Sequence, residues 1–306
     1  MGGRRVNNKL LLCLIISLLL LMIVIPIVII NLSNYFASPS IEIEVYDNVT
    51  DEILFLDLEE YLKGVVAAEM PAVFEFEALK AQAVAARTYA LRNLEQGQPL
   101  TTDSTIDQAW TSKAELLDRW GGLNYLFYWP RISAAVEETA GIIIKYQDEL
   151  INAVYHSTSG DYTAAAVEVW GNDLPYLRSV ASIYEKDSPY YQDQEIFSVR
   201  EFNHKLGISS NLLQEIKILN RSLSDRVLKV RVGNHLFSGR EFRQKLGIRS
   251  TNFLIKTNEE EVKIITSGYG HGVGMSQYGA NGMAGDGYNY QEILKHYYPE
   301  TELSYY

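Results

Sequence analysis

Glu69 is the carboxylate whose setting most favours chemistry. It follows Val65-Val66-Ala67-Ala68 and precedes Met70-Pro71, so its side chain is expected to face apolar neighbours. Desolvation disfavours the charged form of a carboxyl group and raises its pKa. The C-terminal end of a helix carries partial negative charge and pushes the same way. A carboxylic acid still protonated near neutral pH can hand its proton to a leaving oxygen, as glycosidic cleavage requires. Position alone fits a surface glutamate at a helix end equally well.

Other candidates are less sharply defined. Lys80 and Arg87 lie seven residues apart, two helical turns, and therefore share one helix face with Glu77 a turn away. They could hold substrate hydroxyls or carboxylates, or form an ordinary solvated stripe with a Glu–Lys pair. His156, Ser157 and the rest of His156-Ser-Thr-Ser-Gly160 follow an apolar run, and His271 sits in a run with glycines at 268, 270, 272, 274 and 279. That density lets a backbone adopt positive φ and press against a ligand or another segment. Neither histidine belongs to a recognisable metal-ligand spacing. A G-x-S-x-G nucleophile and a phosphate-binding loop with Lys-Ser/Thr are both absent.

The elements that must position these residues can be read in outline. Ile41–Val45 alternates like a strand. Asp57, with Glu60 three residues on, opens a helix towards Glu69, and Pro71 stops it. An alanine-rich helix runs from Glu75 to about Asn93, ended by Gly97 and Pro99. Residues 100–125 are polar and expected to form a loop. Pro130 is expected in the first turn of a helix through Thr139 that Gly141 terminates. Ile142–Tyr146 and Leu150–Tyr155 predict a hairpin across Gln147-Asp148-Glu149.

Ser198–Ile208 matches Ser238–Ile248 at eight of eleven positions, offset by 40. Each copy begins Ser-x-x-Glu and ends in glycine, which predicts two short helices. Strands are expected at Leu213–Leu219, Val227–Val232, Phe253–Lys256 and Val262–Thr266. A last helix is expected from about Asn289 to Tyr297.

The chain has a net charge of −11, and Arg4, Arg5 and Lys9 precede an apolar stretch, so the remainder carries −14. Such an acidic balance argues against nucleic acid as a partner. Residues 10–30 include a single clearly polar residue, Ser17. As a helix, they would span a hydrocarbon core of about 30 Å, and the stretch exceeds the roughly 7–15 apolar residues of a cleaved signal. With basic residues before it and none after until Lys63, the positive-inside rule leaves the N-terminus in the cytoplasm. The sole cysteine, Cys13, falls inside this stretch, leaving the exported part without disulfide or thiolate ligand.

The expected organisation is a cytoplasmic tail (1–9), a single-pass transmembrane anchor (10–32) and a linker (33–40). A mixed α+β extracytoplasmic catalytic core (41–185 and 263–306) follows, with a small inserted α+β lobe (186–262) carrying the two helix repeats.

Gly64-Val-Val-Ala-Ala-Glu-Met-Pro71 and Phe74-Glu-Phe-Glu-Ala-Leu-Lys-Ala-Gln-Ala-Val-Ala-Ala-Arg-Thr-Tyr89 resemble the signature of the stage II sporulation protein D family, which includes proteins called amidase enhancers. Gly270-His-Gly-Val-Gly-Met-Ser-Gln-Tyr-Gly-Ala280 resembles that family's C-terminal motif, and Tyr155–Gly160 its middle one. The resemblance implies a lytic transglycosylase of peptidoglycan, acting in forespore engulfment from the septal membrane of the mother cell. It implies cleavage between N-acetylmuramic acid and N-acetylglucosamine, with a 1,6-anhydro end, on strands stripped of peptide.

Glu69 falls on the family's catalytic glutamate, Lys80 and Arg87 on its basic positions, and His156, Ser157, His271, Gln277 and Tyr278 on its binding residues. Implied partners are the glycan strands, the amidase stage II sporulation protein P and stage II sporulation protein M. Some relatives hold zinc through cysteines near the middle motif. Ser157, Thr158 and Ser159 stand there in this chain, so no zinc or other cofactor is expected. Two other readings remain: a glycan-binding activator of an amidase, and a conventional muramidase with Asp103, Asp107 or Glu168 as second carboxylate.

Overall fold

The computed structural model describes residues 41–103 and 105–306, together with Leu20, Met22, Val24 and Ile25. The anchor expected over 10–32, the tail before it and the linker after it otherwise lie outside the described residues. Among the described residues, no helix is long and apolar enough to cross a membrane. The chain divides into two compact units, Met1–Ile41 and Glu42–Tyr306. The second is a mixed α+β structure.

The unit opens with a hairpin, β1 (Glu42–Asp47) and β2 (Glu52–Asp57), paired antiparallel from Glu42↔Asp57 to Asp47↔Glu52. Asp57 then caps α1 (Leu58–Glu69), its carboxylate accepting from the Glu59 and Glu60 amides. Helix α2 (Phe76–Glu95) is the central element. Six of its alanines (78, 81, 83, 85, 86 and 90) are buried, and small side chains let neighbouring helices approach its axis closely. A short strand, β3 (Leu100–Thr101), pairs parallel with β1.

The stretch 100–125, expected to be a loop, is helical from Lys113 onward. Helix α3 spans Lys113–Glu137, opened by a capping box in which Ser112 and Glu115 exchange bonds. Gly121 interrupts it with φ 72°, a left-handed angle that kinks the helix, so Pro130 lies well inside the second segment rather than in its first turn. The Gly121-Gly122 pair had the composition of a loop but serves as a hinge between two helical segments.

Strands β4 (Ile142–Tyr146) and β5 (Glu149–Leu150) form a hairpin whose turn is Gln147-Asp148 alone, both at positive φ (52° and 67°), as tight two-residue hairpins require. The chain continues through β6 (Tyr155–His156) and a five-residue helix, α4 (Ala166–Trp170).

The next elements are β7 (Gln192–Ser198), α5 (Val199–Leu206), β8 (Ile216–Arg221), β9 (Val227–Val232), β10 (His235–Ser238), α6 (Gly239–Leu246), β11 (Phe253–Thr257) and β12 (Glu261–Ser267). The repeat copies are α5 and α6. Ser198 and Ser238 cap them by accepting from the Glu201 and Glu241 amides, and Gly207 and Gly247 close them, both at φ 77°. Two three-stranded sheets, ordered β10-β9-β8 and β11-β12-β7, enclose a separate apolar cluster that includes Phe202, Phe242 and Phe253.

The chain then runs through β13 (Met275–Ser276), α7 (Gln277–Gly285), α8 (Tyr290–Tyr297) and β14 (Glu302–Tyr305), which pairs with β4. The decisive crossover is β13, which pairs parallel with β6 and sets Ser276 opposite His156.

Candidate active site

Glu69 is the last residue of α1, and Met70 closes the helix by donating its amide to Val66 O. The carboxylate is half-buried and held from two sides. The Ala109 amide donates to Oε1 at 2.8 Å, and the Gln277 side-chain amide donates to Oε2 at 3.1 Å. Burial drives its pKa above the ordinary carboxylate value, and these two uncharged donors pull it only partly back. No cation forms an ion pair with it among the described residues. A carboxyl group so placed can gain and release a proton without a salt bridge to break.

The segment carrying Ala109 is fixed by its neighbour. Buried Gln108 donates to Tyr61 Oη at 3.2 Å and accepts from Tyr155 Oη at 2.8 Å. Gln277 is the first residue of α7, whose cap Ser276 accepts from the Gly279 amide. The glutamate is therefore gripped between two loops distant in sequence.

Glu69 lines a cavity of about 820 Å³ together with His156, Ser157, His271, Gln277 and Tyr278. Six of the eight residues singled out from sequence thus converge. Parallel pairing of β6 with β13 brings the two motifs together, and the glycines permit it. A Cβ on Gly274, at φ 73°, would lie 2.0 Å from Val154 O, and one on Gly270 would lie 2.9 Å from His156 Cβ. Aromatic rings line one side: Phe74 and Tyr278 at 4.9 Å, Tyr278 and Tyr190 at 6.3 Å, Tyr190 and Tyr269 at 5.0 Å between centroids.

Both histidines are held neutral. His156 is buried, with Nδ1 3.1 Å from Val273 O and Nε2 2.6 Å from Ser159 Oγ. Burial first, then the neighbouring His271 ring, which would repel a second proton, and the Arg226 charge depress its pKa well below the usual value. His271 Nδ1 accepts from the Val273 amide, and burial with the charges of Arg226 and Arg243 brings its pKa down to about 4. The two rings lie 5.5 Å apart. A zinc site of the kind the resemblance raised does not fit these residues: both His156 nitrogens are engaged, and residues 157–159 offer hydroxyls, not thiolates. Among the described residues, no three of His, Cys, Asp and Glu gather closely enough to hold a metal.

Lys80 and Arg87 are elsewhere. Arg87 is fully buried and bidentate to Glu59, with donor distances of 2.8 and 2.6 Å, and it also donates to Ile142 O and Val136 O. Lys80 pairs with Glu77 at 3.1 Å and Glu138 at 2.7 Å and lies over the Phe76 ring. Neither lines the cavity. The helix face they share turns towards α1 and α3, not towards substrate, so their charges are consumed in packing.

Of the three alternative carboxylates, Asp107 alone lines the cavity, with burial raising its pKa as its first cause. Glu168 is engaged by Ser224 and the Leu223 amide, and Asp103 by Thr105.

Sequence reasoning missed three contributors. The Ala109 donor is a backbone amide, which leaves no mark on residue type. Tyr155 lies in a strand as expected, but its hydroxyl bonds to Gln108, a contact between segments distant in sequence that no local pattern signals. Buried Glu185 accepts from the Ser159 amide at 2.8 Å and Ser276 Oγ at 2.6 Å, tying both motifs together, and burial raises its pKa to about 7.

The cavity thus gathers two desolvated carboxyl groups, Glu69 and Asp107, with two histidines of depressed pKa and a wall of aromatic rings. Residues 46–146 match the family described as SpoIID, stage II sporulation protein. The chain is 40% identical to stage II sporulation protein D of Bacillus subtilis (strain 168) over 276 residues, covering 88% of this chain and 80% of that protein. Against stage II sporulation protein D of Bacillus amyloliquefaciens it is 40% identical over 272 residues, covering 86% and 79%. It is also 31% identical over 300 residues to the amidase enhancer of Bacillus subtilis (strain 168), covering 80% of this chain and 40% of that protein. The chain belongs to the stage II sporulation protein D family.

Proposed function

We propose that this protein is a lytic transglycosylase that cuts peptidoglycan strands between N-acetylmuramic acid and N-acetylglucosamine during engulfment. The observation that carries the reading is the Glu69 carboxyl group, desolvated in an open cavity, bonded by two neutral donors and paired with no cation. Protonated Glu69 gives its hydrogen to the glycosidic oxygen as the bond to C1 breaks. The muramyl C6 hydroxyl closes on C1, and its proton goes to the Glu69 carboxylate, restoring the acid. The bond cleaved is replaced by the 1,6-anhydro bond, so water is not consumed and a second carboxylate is not needed. Hydroxyl-rich sugar rings match the aromatic wall, which offers apolar faces for stacking.

On this reading residues 10–32 hold the protein in the septal membrane of the mother cell, and the amidase stage II sporulation protein P supplies stripped strands, with stage II sporulation protein M as a further partner. Protease digestion of the C-terminal unit in intact protoplasts tests that topology; digestion only after lysis contradicts it. The similarity to an amidase enhancer favours a second reading, a glycan-binding activator without cleavage. Incubation with peptide-free glycan and weighing of the products separates the cases. Anhydro ends support the transglycosylase. Reducing ends support a muramidase using Asp107, and intact strands with faster amidase turnover support the activator.

A further inference from the structure

Beside the cavity lies a second recess of about 450 Å³, lined by Glu195, Arg243, Gln244, Ile248 and Arg249 among others, with Tyr269 common to both. Arg249 joins the two physically. Its guanidinium lies 4.8 Å over the Tyr190 ring and 5.3 Å over that of Tyr269, and its carbonyl accepts from the Gly270 amide at 3.2 Å. Both rings belong to the wall of the Glu69 cavity.

The charge here runs against that of the protein as a whole. Residues 186–262 hold 13 lysines and arginines against 10 acids, a balance of +3, within a chain of net −11. Three of those arginines gather at this end of the cavity. Arg226 is buried behind the glycine-rich loop, donating to Ser159 O and Ser250 Oγ at 3.3 Å each. Arg249 is paired with Asp193.

Arg243 differs from both. It is half-buried on α6, donates from Nε to Ile248 O at 3.4 Å, and forms no ion pair among the described residues. Its charge reaches His271 and His156 across the boundary between recess and cavity. Glu195, the acid lining the recess, forms no ion pair with it. A guanidinium partly out of water, with its terminal N–H groups open to a recess, is a fork suited to a carboxylate.

We propose that Arg243, supported by Arg249, forms a carboxylate-binding subsite at the inserted end of the groove, which takes a free carboxylate carried by a saccharide strand whose neighbouring sugar lies against Glu69. The proposal rests on the glycan reading above and adds to it the residue that would read the exposed acid of a stripped strand. Chemically, that acid is the lactyl carboxylate of a muramyl residue with no peptide amide on it. The two cations assigned to substrate by resemblance, Lys80 and Arg87, are consumed in packing, and Arg243 supplies the charge they do not.

The test uses the full chain in detergent, carrying Glu69→Gln to stop turnover, and measures binding of peptide-free glycan oligomers. The same oligomers with carboxyl groups reduced to alcohols are the comparison. A charge-assisted, bidentate contact corresponds to about tenfold in affinity, so the acidic oligomer is expected to bind about tenfold tighter than the reduced one. Adding Arg243→Gln should remove that difference while leaving affinity for the reduced oligomer unchanged, a built-in control for folding. Arg243→Lys should keep part of it, and Glu195→Gln should enlarge it. Raised salt should shrink the difference by screening. Equal binding of both oligomers by the Arg243-intact chain overturns the subsite and leaves the glycan reading standing. Binding of neither overturns both.

Discussion

Removing Arg87 separates a packing role from a substrate-binding one. Its side chain is fully buried, and its fork meets both oxygens of Glu59 while two further N–H groups reach the Ile142 and Val136 carbonyls. Deleting one partner of a buried ion pair costs about 3–5 kcal/mol, because the other charge is left uncompensated. Glu59 keeps 26% of its side chain exposed, so water offsets part of the loss and Arg87→Met should cost about 3 kcal/mol. With a urea slope near 3 kcal/mol/M, the unfolding midpoint should fall by about 1 M. Adding Glu59→Gln removes the stranded carboxylate and should return about 1–2 kcal/mol. The assay is equilibrium urea unfolding of the full chain in detergent, followed by tryptophan fluorescence, with glycan binding measured below the transition. Binding should be retained by the folded variant. A parental midpoint combined with lost binding would refute the packing argument and return Arg87 to the substrate.

Three further outcomes follow from the site. Gln277→Leu removes a donor that favours the Glu69 carboxylate, so its pKa should rise further. Because cleavage begins with the protonated acid, the alkaline limb of the pH–rate profile should move to higher pH; an unmoved limb contradicts the contact. Glu185 has a folded-state pKa raised to about 7, above the ordinary carboxylate value of 4.5. Its contribution to stability is therefore complete below the unfolded value and is lost as pH rises through about 7. Glu185→Gln should flatten the dependence of Tm on pH across that window, and an unchanged slope counts against it. Lys80→Met, whose acidic partners are half-exposed, should cost at most about 1 kcal/mol, checked by the same urea titration.

How much could be read from the chain depended on whether the signal was local. Ser198 with Gly207, and Ser238 with Gly247, mark their helices by side-chain chemistry within one or two turns, and the structure has both. Val227–Val232 is a strand with the expected bounds. Helix α3 was hidden because Ser112 and Glu115 lie in a polar stretch and the following glycines read as loop. Helix α7 was hidden for a related reason. Its glycines lower helix propensity, yet Tyr297 Oη and the Tyr184 carbonyl crowd positions 279 and 282, where a Cβ would approach within 2.0 and 1.9 Å.

Glu69, His156 and His271 stood out by their own sequence setting, whereas Gln277, Tyr278 and the role of Ser157 came only from the family resemblance; the structure brings all six to one cavity. It was illegible where a backbone amide acts, as at Ala109. Arg87 shows the limit of spacing: two helical turns fix which face a cation shares, and tertiary packing decides what that face meets.

The central claim is that Glu69 moves the proton in glycan cleavage, and the product mass spectrum of Glu69→Gln tests it most directly. Glutamine keeps the shape and can still accept from Ala109, but it has no proton to give. Wild-type protein should release strands ending in 1,6-anhydro sugar from peptide-free glycan, and the variant should bind the same strands and cut them about 10²–10⁴ times more slowly. Anhydro products appearing at the wild-type rate from the variant would contradict the account.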